Sequence, residues 1–293
     1  MDNTRPTWAE INLAAVKHNL DQIRRVVGPA RIMAVVKANA YGHGILEISR
    51  LCQQEKVDFF GVATIEEALL LRESGITVPI LVLGSVPVNS LRLLVTNDIR
   101  ATVFNESLAI ELSRVAQELS RPAYVHIKVD TGMGRLGIIP GDKALQTVKA
   151  IYDLPGIVTE GIFTHFAAAD MAEVDYTLQQ LERFKAFLDK LEQSSVKIPI
   201  RHCANSAAIM QFPPSYMDMV RAGILLYGLY PSEEVRKEVI SVIPAMTLKS
   251  RVSYIKTVPA GDTLSYGRTY CCSQNTRVAT VPIGYADGYS RSL

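Results

Sequence analysis

The chain has no apolar run near the roughly 20 residues that a membrane-spanning helix requires, which excludes that class of membrane protein. Its opening, Met1-Asp2-Asn3-Thr4-Arg5-Pro6, lacks the apolar stretch of a secretory signal, so a cytoplasmic protein is expected. An excess of one charge is also missing. With 31 basic and 29 acidic residues the net charge is +2, which gives no reason to expect nucleic acid or an anionic membrane as partner. Cysteine is sparse, and Cys52, Cys203, Cys271 and Cys272 show no metal-ligand spacing. The adjacent pair Cys271-Cys272 cannot readily bridge to itself without strain, so reduced thiols are expected. The five histidines (His18, His43, His126, His165, His202) form no HxxxH or HExxH pattern, and no metal site is expected. No GxGxxG follows an early strand, which counts against a dinucleotide-binding sheet.

What is present suits a globular protein. A hydrophobic share of 48% and a charged share of 20% are ordinary, and 293 residues can bury one large core or two modest ones. To about residue 230, short apolar runs alternate with amphipathic helical patterns. The strand candidates are Ile32–Val36, Phe59–Val62, Ile80–Leu83, Ala101–Phe104, Val125–Val129, Ile157–Phe163, Ile198–His202 and Met217–Val220. One helix puts Leu13, Val16, Leu20, Ile23 and Val27 on a single face. Another opens with Thr64-Ile65-Glu66-Glu67, a capping box. A third carries Leu178, Leu181, Phe184, Leu188 and Leu191 on one stripe. About eight β–α units in series predict a parallel (β/α)8 TIM-like barrel, since parallel strands need helical crossovers. A doubly wound open sheet is the second reading.

After Tyr230 the texture changes. Pro231-Ser232-Glu233-Glu234 reads as a linker. Leu248–Val258 and Arg277–Ile283, rich in β-branched residues, flank the turn-forming Pro259-Ala260-Gly261-Asp262. The expectation is an α/β barrel over residues 1–230 and a partial, mostly β domain over 231–293, with residues 1–11 packing against the latter.

Lys37 is the first residue that points to chemistry. It ends the apolar run Ile32-Met33-Ala34-Val35-Val36, and in a parallel barrel the strand ends form the catalytic mouth. Apolar walls there would partly desolvate the ammonium and favour the free amine that a Schiff base needs. Position alone also allows a surface lysine that snorkels outward.

The surrounding string is more specific. Ala34-Val35-Val36-Lys37-Ala38-Asn39-Ala40-Tyr41-Gly42-His43-Gly44 closely resembles the cofactor-attachment signature of the alanine racemases. The resemblance continues in Lys128-Val129-Asp130-Thr131-Gly132-Met133-Gly134-Arg135-Leu136-Gly137, Thr164-His165-Phe166 and His202-Cys203-Ala204-Asn205-Ser206. Further on come Arg221-Ala222-Gly223-Ile224-Leu225-Leu226-Tyr227-Gly228, Leu264-Ser265-Tyr266-Gly267 and Ile283-Gly284-Tyr285-Ala286-Asp287-Gly288. The motifs stand in family order across essentially the whole chain.

The resemblance implies a cytoplasmic enzyme that interconverts L- and D-alanine on pyridoxal 5′-phosphate (PLP), supplying D-alanine for peptidoglycan. Lys37 would carry the cofactor and act as one acid–base group, with Tyr266 as the other on the opposite face. Racemisation needs a donor and an acceptor on both sides of the α-carbon. A phenol titrates near 10, so Tyr266 would need a helper, and His165 matches that position. Arg221 would face the pyridine nitrogen, braced by His202. Guanidinium scarcely gives up its proton, so the ring nitrogen would stay largely neutral. Tyr41, Ser206, Gly223 and Ile224 would hold the phosphate, beside Asn205. Arg135 would meet the substrate carboxylate, oriented by Lys128 in carbamylated form. Asp170 and Tyr285 would line the access route. A homodimer is implied, with Tyr266 and Tyr285 supplied across it.

The family pattern continues past Leu293, with a Met-Asp segment that meets the substrate and a late tyrosine on the phosphate. From this the chain is expected to bind PLP through Lys37 but to racemise poorly or not at all. Three other readings compete: a PLP-carrying barrel protein without racemase activity, a barrel amino-acid decarboxylase, and a shortened chain acting only as a binding or structural remnant. The Leu264–Gly267 motif weighs against the first. Arg221, where decarboxylases place a carboxylate, weighs against the second.

Overall fold

The computed structural model describes residues 5–290 and Ser292. It divides into two units, Leu13–Ala245 and a unit made of Met1–Asn12 with Met246–Leu293. Of the N-terminal stretch expected to join the β domain, residues 1–4 lie outside the described residues.

The larger unit carries eight parallel strands. In chain order these are β1 (Arg31–Val35), β2 (Phe59–Val62), β3 (Ile80–Val82), β4 (Ile99–Val103), β5 (Ala123–Lys128), β6 (Ile157–Phe163), β7 (Ile200–His202) and β8 (Met219–Ala222). Each strand from β1 to β6 pairs with the next, and β8 pairs with β1. The seam between β7 and β8 is bridged by Asp218 N–H donating to Arg201 O (3.1 Å) and Arg221 N–H donating to Ala204 O (3.0 Å). The sheet is therefore a nearly closed barrel, as the β–α alternation predicts, and the open doubly wound sheet is ruled out. Met33, Phe59, Leu81, Phe163, Ile200 and Met219 fill its interior. Burying such side chains is worth roughly 1.5–3 kcal/mol each before entropy is counted.

Two differences from the sequence expectation matter for function. The last strand begins two positions later than its apolar run, because Pro213–Ser215 forms a 3-10 turn and the Asp218 carboxylate accepts from Arg201 N–H at 2.8 Å. This shift places Arg221 within the strand. The helix Asp175–Gln193 buries Thr177, Gln180, Leu181, Phe184, Phe187 and Leu191, whereas Leu178 is exposed. Its buried stripe is rotated from the all-leucine one. The reason is polar: Gln180 donates to His165 O (3.2 Å), and Tyr176 Oη donates to Gly132 O (2.7 Å). The helix braces two loops that bear site residues.

The chain that follows the stretch read as a linker, residues 235–245, belongs to the barrel unit. Val235, Ile240 and Ala245 are buried, and Asn19 on the helix Leu13–Val27 clamps Ile243 by donating to its carbonyl and accepting from its N–H. Gly228, at φ +82, passes so close that a Cβ there would lie 1.9 Å from Ile243 O.

The smaller unit is built of antiparallel ribbons. Thr7–Ile11 pairs with Met246–Ser250, Tyr254–Val258 with Thr276–Thr280, and Thr263–Leu264 with Tyr270–Cys271. The β-branched stretch Leu248–Val258 is broken after Ser250, where the chain leaves one ribbon and enters the next. Among the described residues of this unit only Val258 and Cys272 are buried. No helix among the described residues is long and apolar enough to cross a membrane.

Candidate active site

A cavity of about 410 Å³ opens where the barrel strands end, lined by residues of the larger unit. Lys37 enters it directly after β1. The next four residues, Ala38, Asn39, Ala40 and Tyr41, all have φ between +52 and +54, a single left-handed turn made without glycine. Such a conformation costs roughly 1–2 kcal/mol per residue, so its surroundings must hold it. The Glu67 carboxylate does so, accepting from Ala38 N–H (2.6 Å) and Ala63 N–H (2.8 Å). Asn39 Oδ1 accepts from Ile45 N–H at 2.9 Å, and the His43 ring lies 3.1 Å from Ala40 O.

Glu67 thereby corrects the expected capping box. Thr64 Oγ1 does accept from Glu67 N–H, at 3.4 Å, but the glutamate reaches Ala63 and the lysine-bearing turn instead of returning to Thr64. Lys37 is held below the usual lysine range by burial first, then by the charges of Arg135 and Arg221, with Glu67 opposing. A lowered amine is more often unprotonated, which is the nucleophilic form.

Arg221 is buried on the cavity floor. Nη1 donates to His202 Nδ1 (3.0 Å) and His202 O (3.1 Å). Nη2 serves Thr164 O (2.8 Å), Cys203 O (3.0 Å) and His165 Nδ1 (3.1 Å). Only Nε–H is left without a protein acceptor among the described residues, so it is the donor free for a ligand. Burial brings the guanidinium down to about 10, still far above neutrality. His165 and His202 are both pushed well down, by burial first and then by Arg221. Because the guanidinium can only donate, both rings present Nδ1 as acceptor and carry their proton on Nε2.

A polar cradle lies at the other end. A Cβ on Gly223 would sit 3.3 Å from Tyr41 Oη and 3.4 Å from Ser206 Oγ, so the missing side chain leaves room between two hydroxyls. Ser206 Oγ accepts from Gly223 N–H (3.0 Å) and Leu225 N–H (3.4 Å), leaving its own proton free to donate. Ile224 follows Gly223 at the rim, and Asn205 Oδ1 accepts from Ala208 N–H at 3.0 Å to start the short helix that carries Ser206. The Tyr41 ring packs 5.1 Å from Tyr227, and burial raises its phenol, so the hydroxyl stays a donor.

The third wall comes from the Gly-rich loop after β5. Asp130 Oδ1 collects the N–H groups of Gly132 (2.9 Å), Met133 (2.8 Å) and Gly134 (3.1 Å). The loop is thus pinned from within, presenting Arg135 to the cavity. Lys128 is 4% exposed, with Nζ 4.5 Å above the Phe163 ring. Burial, then Arg221 and Arg135, lower it well below the usual lysine range. Lys37, Lys128, Arg135 and Arg221 line the cavity, against Asp170 as the one carboxylate among the described lining residues. The site is built for an anion.

Lys37, Tyr41, Lys128, Arg135, His165, Asp170, Asn205, Ser206, Arg221, Gly223 and Ile224 thus share one cavity, with His202 directly beneath. Tyr266 and Tyr285 belong to the smaller unit. Tyr266 is 84% exposed, in a turn where Ser265 (φ +59) and Arg268 (φ +53) are also left-handed. Sequence reading missed Glu67, whose only trace was its place in a cap, and Asp130, quoted within a motif without a role. Among the described residues no group of three or more His, Cys, Asp or Glu side chains is placed to hold a metal ion.

Comparison with known proteins agrees with this architecture. A family model described as the alanine racemase N-terminal domain matches residues 11–231, and one for the C-terminal domain matches residues 245–293. An alanine racemase of Methanococcus maripaludis is 47% identical over 99% of this chain and 78% of its own length. One from Clostridium perfringens is also 47% identical, over 99% of this chain and 75% of its own. The solved alanine racemase of Clostridium difficile superposes with a TM-score of 0.96 at 44% identity, covering 99% of this chain and 76% of that one. With matching domains in order, near-complete coverage and a shared fold, the chain belongs to the alanine racemase family of enzymes.

Proposed function

We propose that the chain interconverts L- and D-alanine with pyridoxal 5′-phosphate held on Lys37. The carrying observation is the convergence, round one cationic cavity, of a desolvated lysine, a buried arginine with one free donor, and a two-hydroxyl cradle. The cradle fits a phosphate, the Nε–H of Arg221 fits a pyridine nitrogen, and the Lys37 amine fits a carbonyl carbon. Bound there, the cofactor supplies an electron sink that makes the α-hydrogen of an amino acid removable.

The chain's own groups do the rest. Tyr41, Ser206, Gly223 and Ile224 bind the phosphate. Arg221 donates without protonating the ring nitrogen, which restrains charge delocalisation and side reactions. Arg135 binds the substrate carboxylate, and a carbamate on Lys128 would replace its neighbouring cation with an anion that orients Arg135. Lys37 Nζ takes or returns the proton on one face, and Tyr266 Oη on the other. His165, with its proton on Nε2, is the donor available to stabilise the phenolate of Tyr266. Asp170 and Tyr285 flank the access route. The many exposed apolar side chains of the smaller unit, among them Leu248, Tyr254 and Ile255, support a homodimer in which Tyr266 and Tyr285 serve the partner's cavity. The product would feed peptidoglycan in the cytoplasm.

The test is to load the 293-residue protein with PLP, supply L-alanine and follow D-alanine. Wild-type protein is expected to show the visible band of a lysine-bound cofactor and to form D-alanine, and Lys37→Ala to lose both. A band that persists in Lys37→Ala, or a loaded wild-type protein that forms no D-alanine, would count against the reading.

A further inference from the structure

We propose that Glu160 and His126 are positioning residues for Arg221: with His202 they form a one-way hydrogen-bond relay through the barrel interior that orients and balances the buried guanidinium. The catalytic consequence rests on the assignment of Arg221 to the ring nitrogen made above.

The relay is continuous. Arg221 Nη1 lies 3.0 Å from His202 Nδ1, and His202 Nε2 lies 2.9 Å from His126 Nδ1. His126 Nε2 in turn lies 3.2 Å from Glu160 Oε2. Both imidazoles are fully buried. Desolvation is the leading influence on each and lowers both, so each ring carries one proton.

The two ends dictate which way the protons point. A guanidinium only donates and a carboxylate only accepts. Arg221 therefore makes His202 Nδ1 an acceptor, so His202 donates from Nε2 to His126 Nδ1. His126 then donates from Nε2 to Glu160. Starting from Glu160 and working back gives the same arrangement, so no link is frustrated. Polarisation along such a chain lets a distant carboxylate offset the charge of Arg221, to which no carboxylate among the described residues is hydrogen-bonded.

The barrel is locally deformed to make this possible. Between β5 and β6 the register runs from Val125 opposite Thr159 to His126 opposite Gly161, so Glu160 is the extra residue of a β-bulge. Bulges re-aim side chains and gather beside active sites. Gly161 follows because any Cβ there would strike the His126 ring. The carboxylate is fixed from the far side by Arg100, whose Nε and Nη2 reach Glu160 at 3.1 and 3.4 Å. Arg100 in turn pairs with Asp98 and stacks over Tyr124. Burial alone would raise the Glu160 carboxyl, but the bonds from His126 and Arg100 prevail and hold it ionised. A purely structural polar core needs satisfied partners, but it does not need every proton to point one way.

Nitrogen-15 NMR of the histidine-labelled 293-residue protein without cofactor tests the relay directly. His126 and His202 are expected to be neutral, each with its proton on Nε2. In Glu160→Gln the Arg221 end still fixes both tautomers, but a neutral amide oxygen accepts less strongly than a carboxylate, so the His126 Nε2 proton resonance is expected to move upfield. In the loaded variant kcat should fall about tenfold with KM for alanine within about twofold of wild type, and the cofactor band should shift. A proton on Nδ1 of either ring in the wild-type protein overturns the proposal, as does a folded Glu160→Gln protein with an unchanged His126 Nε2 proton resonance and unchanged kcat. If the variant does not fold, the wild-type tautomers decide. If the wild-type protein shows the predicted tautomers but does not hold PLP, the relay stands and the functional reading fails.

Discussion

Gly161 sits against His126 so closely that a methyl group at position 161 would lie 2.3 Å from His126 Nδ1 and 2.5 Å from Cε1. The histidine cannot retreat, since its two ring nitrogens face His202 and Glu160. Gly161→Ala is therefore expected to lower stability by about 1–3 kcal/mol, the usual cost of overpacking a full core. Urea denaturation checks this: the midpoint should fall with the slope unchanged. An unaltered midpoint would mean that the barrel wall yields where it is drawn as rigid.

Glu67 holds the left-handed turn that follows Lys37, and its two oxygens each accept a backbone N–H. Glu67→Gln keeps one acceptor and leaves the other N–H unpaired, at a cost of about 1–3 kcal/mol. It also removes the one influence that raises the Lys37 amine. In cofactor-free protein, amine-labelling of Lys37 should reach its half-rate at a lower pH in the variant. A midpoint at or above the wild-type value would contradict the arrangement.

Lys128 is a buried cation lowered well below the usual lysine range, chiefly by burial. Over the interval between its folded and unfolded values the unfolded chain binds the proton more tightly. Stability therefore rises with pH across that interval, and the full penalty applies below it. Lys128→Met is expected to stabilise the cofactor-free protein at neutral pH in carbonate-free buffer. The gain should shrink as pH climbs toward 10.5, the ordinary lysine value. Denaturation curves at several pH values test it, and a gain that grew with pH would be the wrong sign. Added bicarbonate should stabilise the wild-type protein alone if Lys128 takes up carbon dioxide.

Tyr41 places its hydroxyl beside Gly223 while its ring rests on Tyr227. Tyr41→Phe keeps the ring contact and removes one donor from the cradle. The dissociation constant for PLP should rise about tenfold, the worth of one hydrogen bond to a charged group, with little change in melting temperature. Unchanged affinity would move the phosphate elsewhere.

The sequence alone determined the barrel and the identity of most cavity residues. Strand ends are chemically marked: a polar residue closing an apolar run, as Lys37 does, can only lie at a mouth, and the β–α alternation fixes which mouth. The family motifs carried the rest of the cavity roster, from Tyr41 to Ile224. Tertiary structure alone decided what holds those residues. The left-handed turn at Ala38–Tyr41 has no glycine to betray it, because Glu67 and His43, rather than local preference, stabilise it. The strand carrying Arg221 starts two positions into its apolar run because Asp218 is spent on Arg201. Most of all, the line from Arg221 to Glu160 joins residues on four elements far apart in the chain, through a bulge that alternation of apolar and polar residues does not encode. Periodicity records which face a side chain takes, whereas proton direction and charge balance depend on what meets it across the barrel.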